Sequence, residues 1–246
     1  MLFRSWPFRI IREIIVRKNE EKYGLFMHGT GVILNNKGNL ILGNSGSGKT
    51  TLAIKLLNNK DNIQFLSNDR VFMYYNDNPT IEYFPIPIVF AMGTVKNNIE
   101  LDRYFKTTRI LENRAGKNYE RSNVNDKVDV PLTDIEKIFK SISMKPTNIL
   151  NNIIFSKLNK KDKKCLNIRE LSKKEKIIKL NQTCFTMYDW ESLRLEWIYN
   201  RKINQNDLIE NKINTIEKIV DDVPIIELEY GFETEEKKLI KRIKEI

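Results

Sequence analysis

Between Gly43 and Thr50 the chain reads Gly-Asn-Ser-Gly-Ser-Gly-Lys-Thr, a Gly-x-x-x-x-Gly-Lys-Thr pattern that follows an apolar run and opens into helix-like spacing. Glycines so placed let successive backbone N–H groups converge on one point, and the start of the following helix adds partial positive charge there. That is the chemistry of a phosphate cradle. Lys49 would reach the outer phosphates of a nucleoside triphosphate and the Thr50 hydroxyl would ligate Mg²⁺. The backbone of Gly43, Asn44, Ser45, Gly46, Ser47 and Gly48, continuing to Thr51, would line the anion. A cation held by one hydroxyl and phosphate oxygens also needs a carboxylate, because Mg²⁺ takes hard oxygen ligands and keeps several waters. Asp69, at the end of the next apolar run, is the candidate; its alternative role is to cap a turn before Arg70.

The elements around these residues follow from periodicity and turn chemistry. Leu25–Leu34 and Asn39–Leu42 read as strands separated by Asn35-Asn36-Lys37-Gly38, where Asn and Gly supply positive φ values, so a hairpin feeds directly into the glycine loop. Thr50–Leu57 has helical apolar spacing and is stopped by Asn58-Asn59-Lys60-Asp61-Asn62. Ile63–Leu66 is a short buried strand leading to Ser67-Asn68-Asp69. Val71–Tyr75 and Thr80–Phe84 flank Asn76-Asp77-Asn78-Pro79 as a second hairpin, and Pro85 and Pro87 then hold an extended segment. Upstream, Ser5–Lys18 carries Trp6, Ile10, Ile14 and Ile15 on one helical stripe with arginines on the other sides, which predicts an amphipathic helix docked on the core. Arg103–Asp126 reads as a polar loop or lid, and Thr133–Ser141 as a helix with Thr133 and Glu136 in a capping box. Asn148–Lys157 reads as a strand, while Trp190–Tyr199 and Thr234–Ile246 read as helices.

With 246 residues, 41% of them hydrophobic and 10% aromatic, the chain can bury a sizeable core despite its 30% charged content. We expect one unit over 1–246 built on an α/β core, its portion from about 130 onward being the least defined. Cys165 and Cys184 are too few for a disulfide framework or a zinc cluster, which fits buried thiols in a reducing compartment. Met1–Arg17 interrupts its apolar residues with Arg4, Arg9, Arg12, Glu13 and Arg17, unlike a secretory leader, and no run approaches a membrane span. The expected location is the cytoplasm. The net charge of +10 would suit an acidic partner, but lysines are dispersed through a chain rich in asparagine and isoleucine, so nucleic acid is not the expected one.

An antiparallel hairpin ahead of the loop and an acidic strand end just behind its helix narrow the choice of family. Met27-His28-Gly29, Gly43–Thr51 and Leu66-Ser67-Asn68-Asp69-Arg70-Val71 together resemble the catalytic core of the HPr kinase/phosphorylase family, whose fold is shared with ATP-dependent phosphoenolpyruvate carboxykinase. The resemblance covers roughly residues 24–75. It implies a mixed central sheet with its P-loop fed by a β-hairpin and helices on the flanks. It also implies that His28, the single histidine of the chain, lies near the phosphates, that Thr50 meets the metal, and that Asp69 matches the second residue of the family's acidic pair. The first residue of that pair, the family's proposed general base, is matched by Asn68, whose amide has no useful basicity near neutral pH. Three alternatives remain open: His28, an imidazole and so of a type suited to general-base work near neutral pH, has taken over; Asp69 serves both roles; or catalysis is lost. Arg103, Arg109, Arg114 and Arg121 fall in the stretch that could close over phosphates.

The first expectation is therefore an ATP-dependent, or other NTP-dependent, Mg²⁺-requiring kinase. Its acceptor would be a hydroxyl, a serine of a protein or peptide as in the resembled family, or a small hydroxylated metabolite. The second is a nucleotide-binding regulatory module without transfer chemistry, and the third an NTPase linked to nucleic acid. An ABC-type ATPase is disfavoured because no Leu-Ser-Gly-Gly signature occurs. A homo-oligomer is left open.

Overall fold

The computed structural model describes residues 6–58, 63–84, 87–108, 119–139, 147–186 and 202–246. The stop at Asn59–Asn62, Pro85, Arg109, Arg114 and the helix expected at Trp190–Tyr199 lie outside the described residues.

The first helix, α1 (Trp6–Glu20), forms where its periodicity predicts and runs two residues further. The side away from the apolar stripe is not all exposed. Arg17 and Glu13 are each about 1% exposed, with Arg17 Nε 2.7 Å from Glu13 Oε1, because an i,i+4 pair neutralises its own charge and lets that turn be covered. The run Leu25–Leu34 also differs from the single strand expected. It breaks at His28 into β1 (Leu25–Met27) and β2 (Gly29–Leu34). β2 then turns through Asn35 and Asn36 alone, at φ 51° and 62°, into β3 (Lys37–Leu42). Two successive positive φ values make the tight hairpin turn whose twist matches the strands, so pairing starts at Lys37 and not at Asn39.

After the glycine loop come α2 (Lys49–Asn58), β4 (Ile63–Ser67), and the hairpin β5 (Val71–Tyr75) and β6 (Pro79–Tyr83). Next are β7 (Ile88–Ala91), α3 (Met92–Lys96), α4 (Ile99–Thr107), β8 (Lys127–Val130) and α5 (Leu132–Phe139). The chain continues through β9 (Thr147–Asn159), β10 (Leu166–Glu170), α6 (Lys173–Thr183), α7 (Gln205–Asp222), β11 (Ile225–Gly231) and α8 (Glu236–Lys244). The expected lid at Arg103–Asp126 is corrected at its start. Residues 103–107 belong to α4, where the Asn98 side chain accepts from Leu101 N at 3.0 Å and caps the helix. Thr133 does not cap α5 either, since the helix already begins at Leu132. A capping box forms instead at Ser172–Glu175, at the start of α6.

The main sheet is mixed. Its strand path runs β1-β5-β6-β9-β3-β2-β4, mostly antiparallel, and β9 lies parallel to both β3 and β11 while β10 edges β11. Alternation along the strands separates the two faces. Ile41, Ile154 and Leu228 pack with Leu52 and Leu56 of α2 and Leu239 of α8. Leu40, Ile153 and Phe155 pack on the other side with Leu180 of α6 and Ile216 and Ile219 of α7. Helices thus cover both faces and leave the ends of β3 and β9, which run in parallel, at one rim. Among the described residues no helix is long and apolar enough to cross a membrane.

Candidate functional site

At that rim the chain leaves β3 and turns through Gly43, Gly46 and Gly48, all at positive φ. At Gly48, φ +92°, a side chain would be strained and crowded: a Cβ there would lie 2.5 Å from the Tyr230 hydroxyl and 2.9 Å from Leu158 Cβ. The loop is held by strands far away in sequence. Leu158 N donates to Ser47 O at 2.9 Å, and the Tyr230 hydroxyl donates to Gly48 O at 2.6 Å. Ser47 Oγ and Ser156 Oγ are 3.2 Å apart. Sequence reading missed Ser156, Leu158 and Tyr230, and no local signal marks residues that act across more than 100 positions.

Lys49 begins α2 and is 8% exposed. Its Nζ donates to Gly43 O at 2.8 Å and Asn44 O at 3.2 Å, so the ammonium is folded back into its own loop. Burial pushes its pKa down, and the nearby charge of Asp69 opposes that shift. Thr50, next on the helix, donates its hydroxyl proton to Asn68 Oδ1 at 2.9 Å. The same oxygen accepts from Thr30 Oγ1, also at 2.9 Å, and Asn68 is 4% exposed. Thr51 turns its hydroxyl to Thr94, 3.3 Å away on α3. Asn44, Ser45 and Gly46 form the exposed crest of the loop.

Asp69 follows β4 in a left-handed conformation, φ 66°, a region asparagine and aspartate tolerate better than most residues. Its carboxylate is 42% exposed, with Oδ1 3.1 Å from His28 Nε2 and Oδ2 3.8 Å from Arg70 Nε. The hydrogen bond from His28 holds the Asp69 carboxyl below the usual carboxylate range; partial burial opposes this, and the charges of His28, Arg70 and Lys49 add to it.

His28 occupies the break between β1 and β2, its backbone N donating to Thr183 O at 2.8 Å. The break itself is supported by the chain beyond α6. Phe185 N donates to Phe26 O at 2.7 Å, Thr186 Oγ1 accepts from Phe26 N at 2.7 Å, and the Phe185 ring stacks on His28 with centroids 5.0 Å apart. The structure therefore brings His28, Lys49, Thr50, Asn68 and Asp69 to one rim. Arg103 instead pairs with Glu100 on the exposed side of α4.

No family model matches this sequence, and no curated protein matches it. Among solved structures, the chain is similar to the Hpr(Ser) kinase/phosphatase from Coxiella burnetii. The likeness has 13% sequence identity, covers 59% of this chain and 77% of that one, and has a TM-score of 0.31. It marks a distant structural likeness and carries no weight for chemistry.

The donor set at the rim suits a hard cation. Asp69 offers carboxylate oxygen, and Thr50, having given its proton to Asn68, keeps its lone pairs for another contact. A glycine loop opening directly into α2, with one lysine, would suit a polyphosphate.

Proposed function

We propose that this chain binds ATP or another nucleoside triphosphate with Mg²⁺ on the Gly43–Thr50 loop and transfers a phosphoryl group to a hydroxyl, the best candidate acceptor being a serine of a protein or peptide. The observation that supports this most is the meeting of a His28–Asp69 pair with Lys49 and Thr50 at the mouth of a strand-to-helix glycine loop. Lys49 exchanges the carbonyls of Gly43 and Asn44 for phosphate oxygens. Thr50 and Asp69 would hold the cation, which neutralises phosphate charge when bound. Asn68 is no base: its oxygen already accepts two hydroxyl protons. That leaves His28. With Nε2–H given to Asp69, its Nδ1 takes the acceptor's proton, and the resulting imidazolium rests against the Asp69 carboxylate. Asn68 at the position of an acid also favours a second reading, a nucleotide-binding regulator that transfers nothing.

The test is ATP binding and turnover with Mg²⁺, with product analysis on serine peptides and small hydroxylated acceptors. Lys49→Ala should weaken ATP binding by about 10–100-fold, the worth of a hydrogen bond to a charged group. His28→Gln should spare binding and abolish transfer. Transfer that survives His28→Gln would remove His28 from the mechanism. Binding with no acceptor ever phosphorylated would leave the regulator.

A further inference from the structure

We infer that Asn68, backed by Thr30, is a positioning residue that aims the Thr50 hydroxyl at a divalent cation arriving with the nucleotide, an inference that rests on the nucleotide reading above. An amide oxygen has two lone pairs, and both are used here, by Thr30 Oγ1 and Thr50 Oγ1 at 2.9 Å each. Asn68 is thereby withdrawn from direct contact with a cation. Its effect is exerted through Thr50. A hydroxyl has one proton and two lone pairs, and a free rotor could swing its proton toward the cation. Fixing that proton on Asn68 turns the lone pairs the other way.

Thr30 makes the arrangement rigid. It is 0% exposed, so its hydroxyl needs a partner, and that partner is the Asn68 oxygen. The β2–β4 ladder shifts register between Gly31 and Val32, beside both residues, and such irregularities re-aim side chains. Three elements are tied at one atom: β2 through Thr30, α2 through Thr50, and the end of β4 through Asn68. Because Asn68 is neutral, Asp69 is the formal negative charge of this cluster, and phosphate oxygens must supply most of the hold on the cation.

The experiment is calorimetric titration of the full chain with ATP, once with EDTA and once with excess Mg²⁺, so that the ratio of the two dissociation constants is the readout. The native chain should bind about tenfold or more tightly with Mg²⁺. Asn68→Ala should bring that ratio to within about threefold of unity while leaving metal-free affinity within about threefold of native, and Thr30→Val should lower the ratio partway. Asn68→Asp accepts the same two protons and should restore the ratio. An Asn68→Ala chain that keeps the native ratio overturns the inference and leaves the nucleotide reading standing. So does an Asn68→Asp chain that behaves like Asn68→Ala, since the amide NH₂ would then be the group in use. If Asn68→Ala does not fold, Thr30→Val and Asn68→Asp decide. A native chain that binds no ATP under either condition sinks the nucleotide reading itself.

Discussion

Taking one oxygen from Tyr230 probes how the glycine loop is held. Tyr230 is 0% exposed and its hydroxyl donates to Gly48 O at 2.6 Å, a carbonyl that also accepts from Leu52 N at 2.8 Å. Tyr230→Phe therefore orphans no buried group. It should cost about 1 kcal/mol, a roughly fivefold change in the unfolding constant. Gly48→Ala should cost more. At φ +92° a side chain is strained by about 1–2 kcal/mol, and the new Cβ would sit 2.5 Å from the Tyr230 hydroxyl and 2.9 Å from Leu158 Cβ. Overpacking of that kind adds about 1–3 kcal/mol, for a total near 2–5 kcal/mol. In the double variant the nearer obstacle is gone and the Leu158 contact remains. The pair should then be more stable than the sum of the single changes by about 1 kcal/mol, measured by urea denaturation of all four chains. Additivity within about 0.5 kcal/mol would refute the steric reasoning, and a Tyr230→Phe chain as stable as native would refute the hydrogen-bond reasoning.

Arg17→Ala should destabilise the chain by about 3–5 kcal/mol in the same assay, because it leaves the Glu13 carboxylate, 1% exposed, without the guanidinium 2.7 Å away. Glu13→Leu combined with Arg17→Met should recover much of that loss; no recovery would mean that packing, not charge, sets the cost. At the start of α6, the Arg169 guanidinium and then the Ser172 N–H and hydroxyl pull the Glu175 carboxyl down to about 2. A depressed carboxyl contributes stability that is complete above its unfolded pKa near 4.3 and disappears as pH falls through the folded value. The melting-temperature difference between native and Glu175→Gln chains should hold steady above pH about 5 and shrink between about 4 and 2. A difference independent of pH would show that the charge plays no part.

The short-range elements were legible. A hairpin before the loop, though with a tighter turn than expected, a helix after it, the Val71–Tyr75 strand and a helix near the end of the sequence form where residue spacing puts them, since each is specified within a few positions. The misreadings were also local, and each has a cause. Leu25–Leu34 is apolar throughout, so nothing in its hydrophobic pattern marks the break at His28; the break comes from Phe185 and Thr186 capturing the backbone of Phe26. Arg17 lies off the apolar stripe of α1, and its partner four residues back lets it be buried all the same.

The sequence by itself carries the motif from which Lys49, Thr50 and Asp69 are proposed to meet a phosphate and a cation, with His28 and Asn68 added by resemblance. It also showed that an amide stands at the position of that family's first acid. Only the tertiary structure decided how those groups are held. Asn68 being filled by Thr30 and Thr50, His28 being paired with Asp69, and the loop being fastened by Leu158 and Tyr230 are contacts between strands and helices brought together by the sheet. The Tyr230–Gly48 bond spans 182 positions and the Ser47–Ser156 contact spans 109. Local propensity acts over a few residues, while contacts at such separations exist only once the parallel pairing of β3, β9 and β11 has formed.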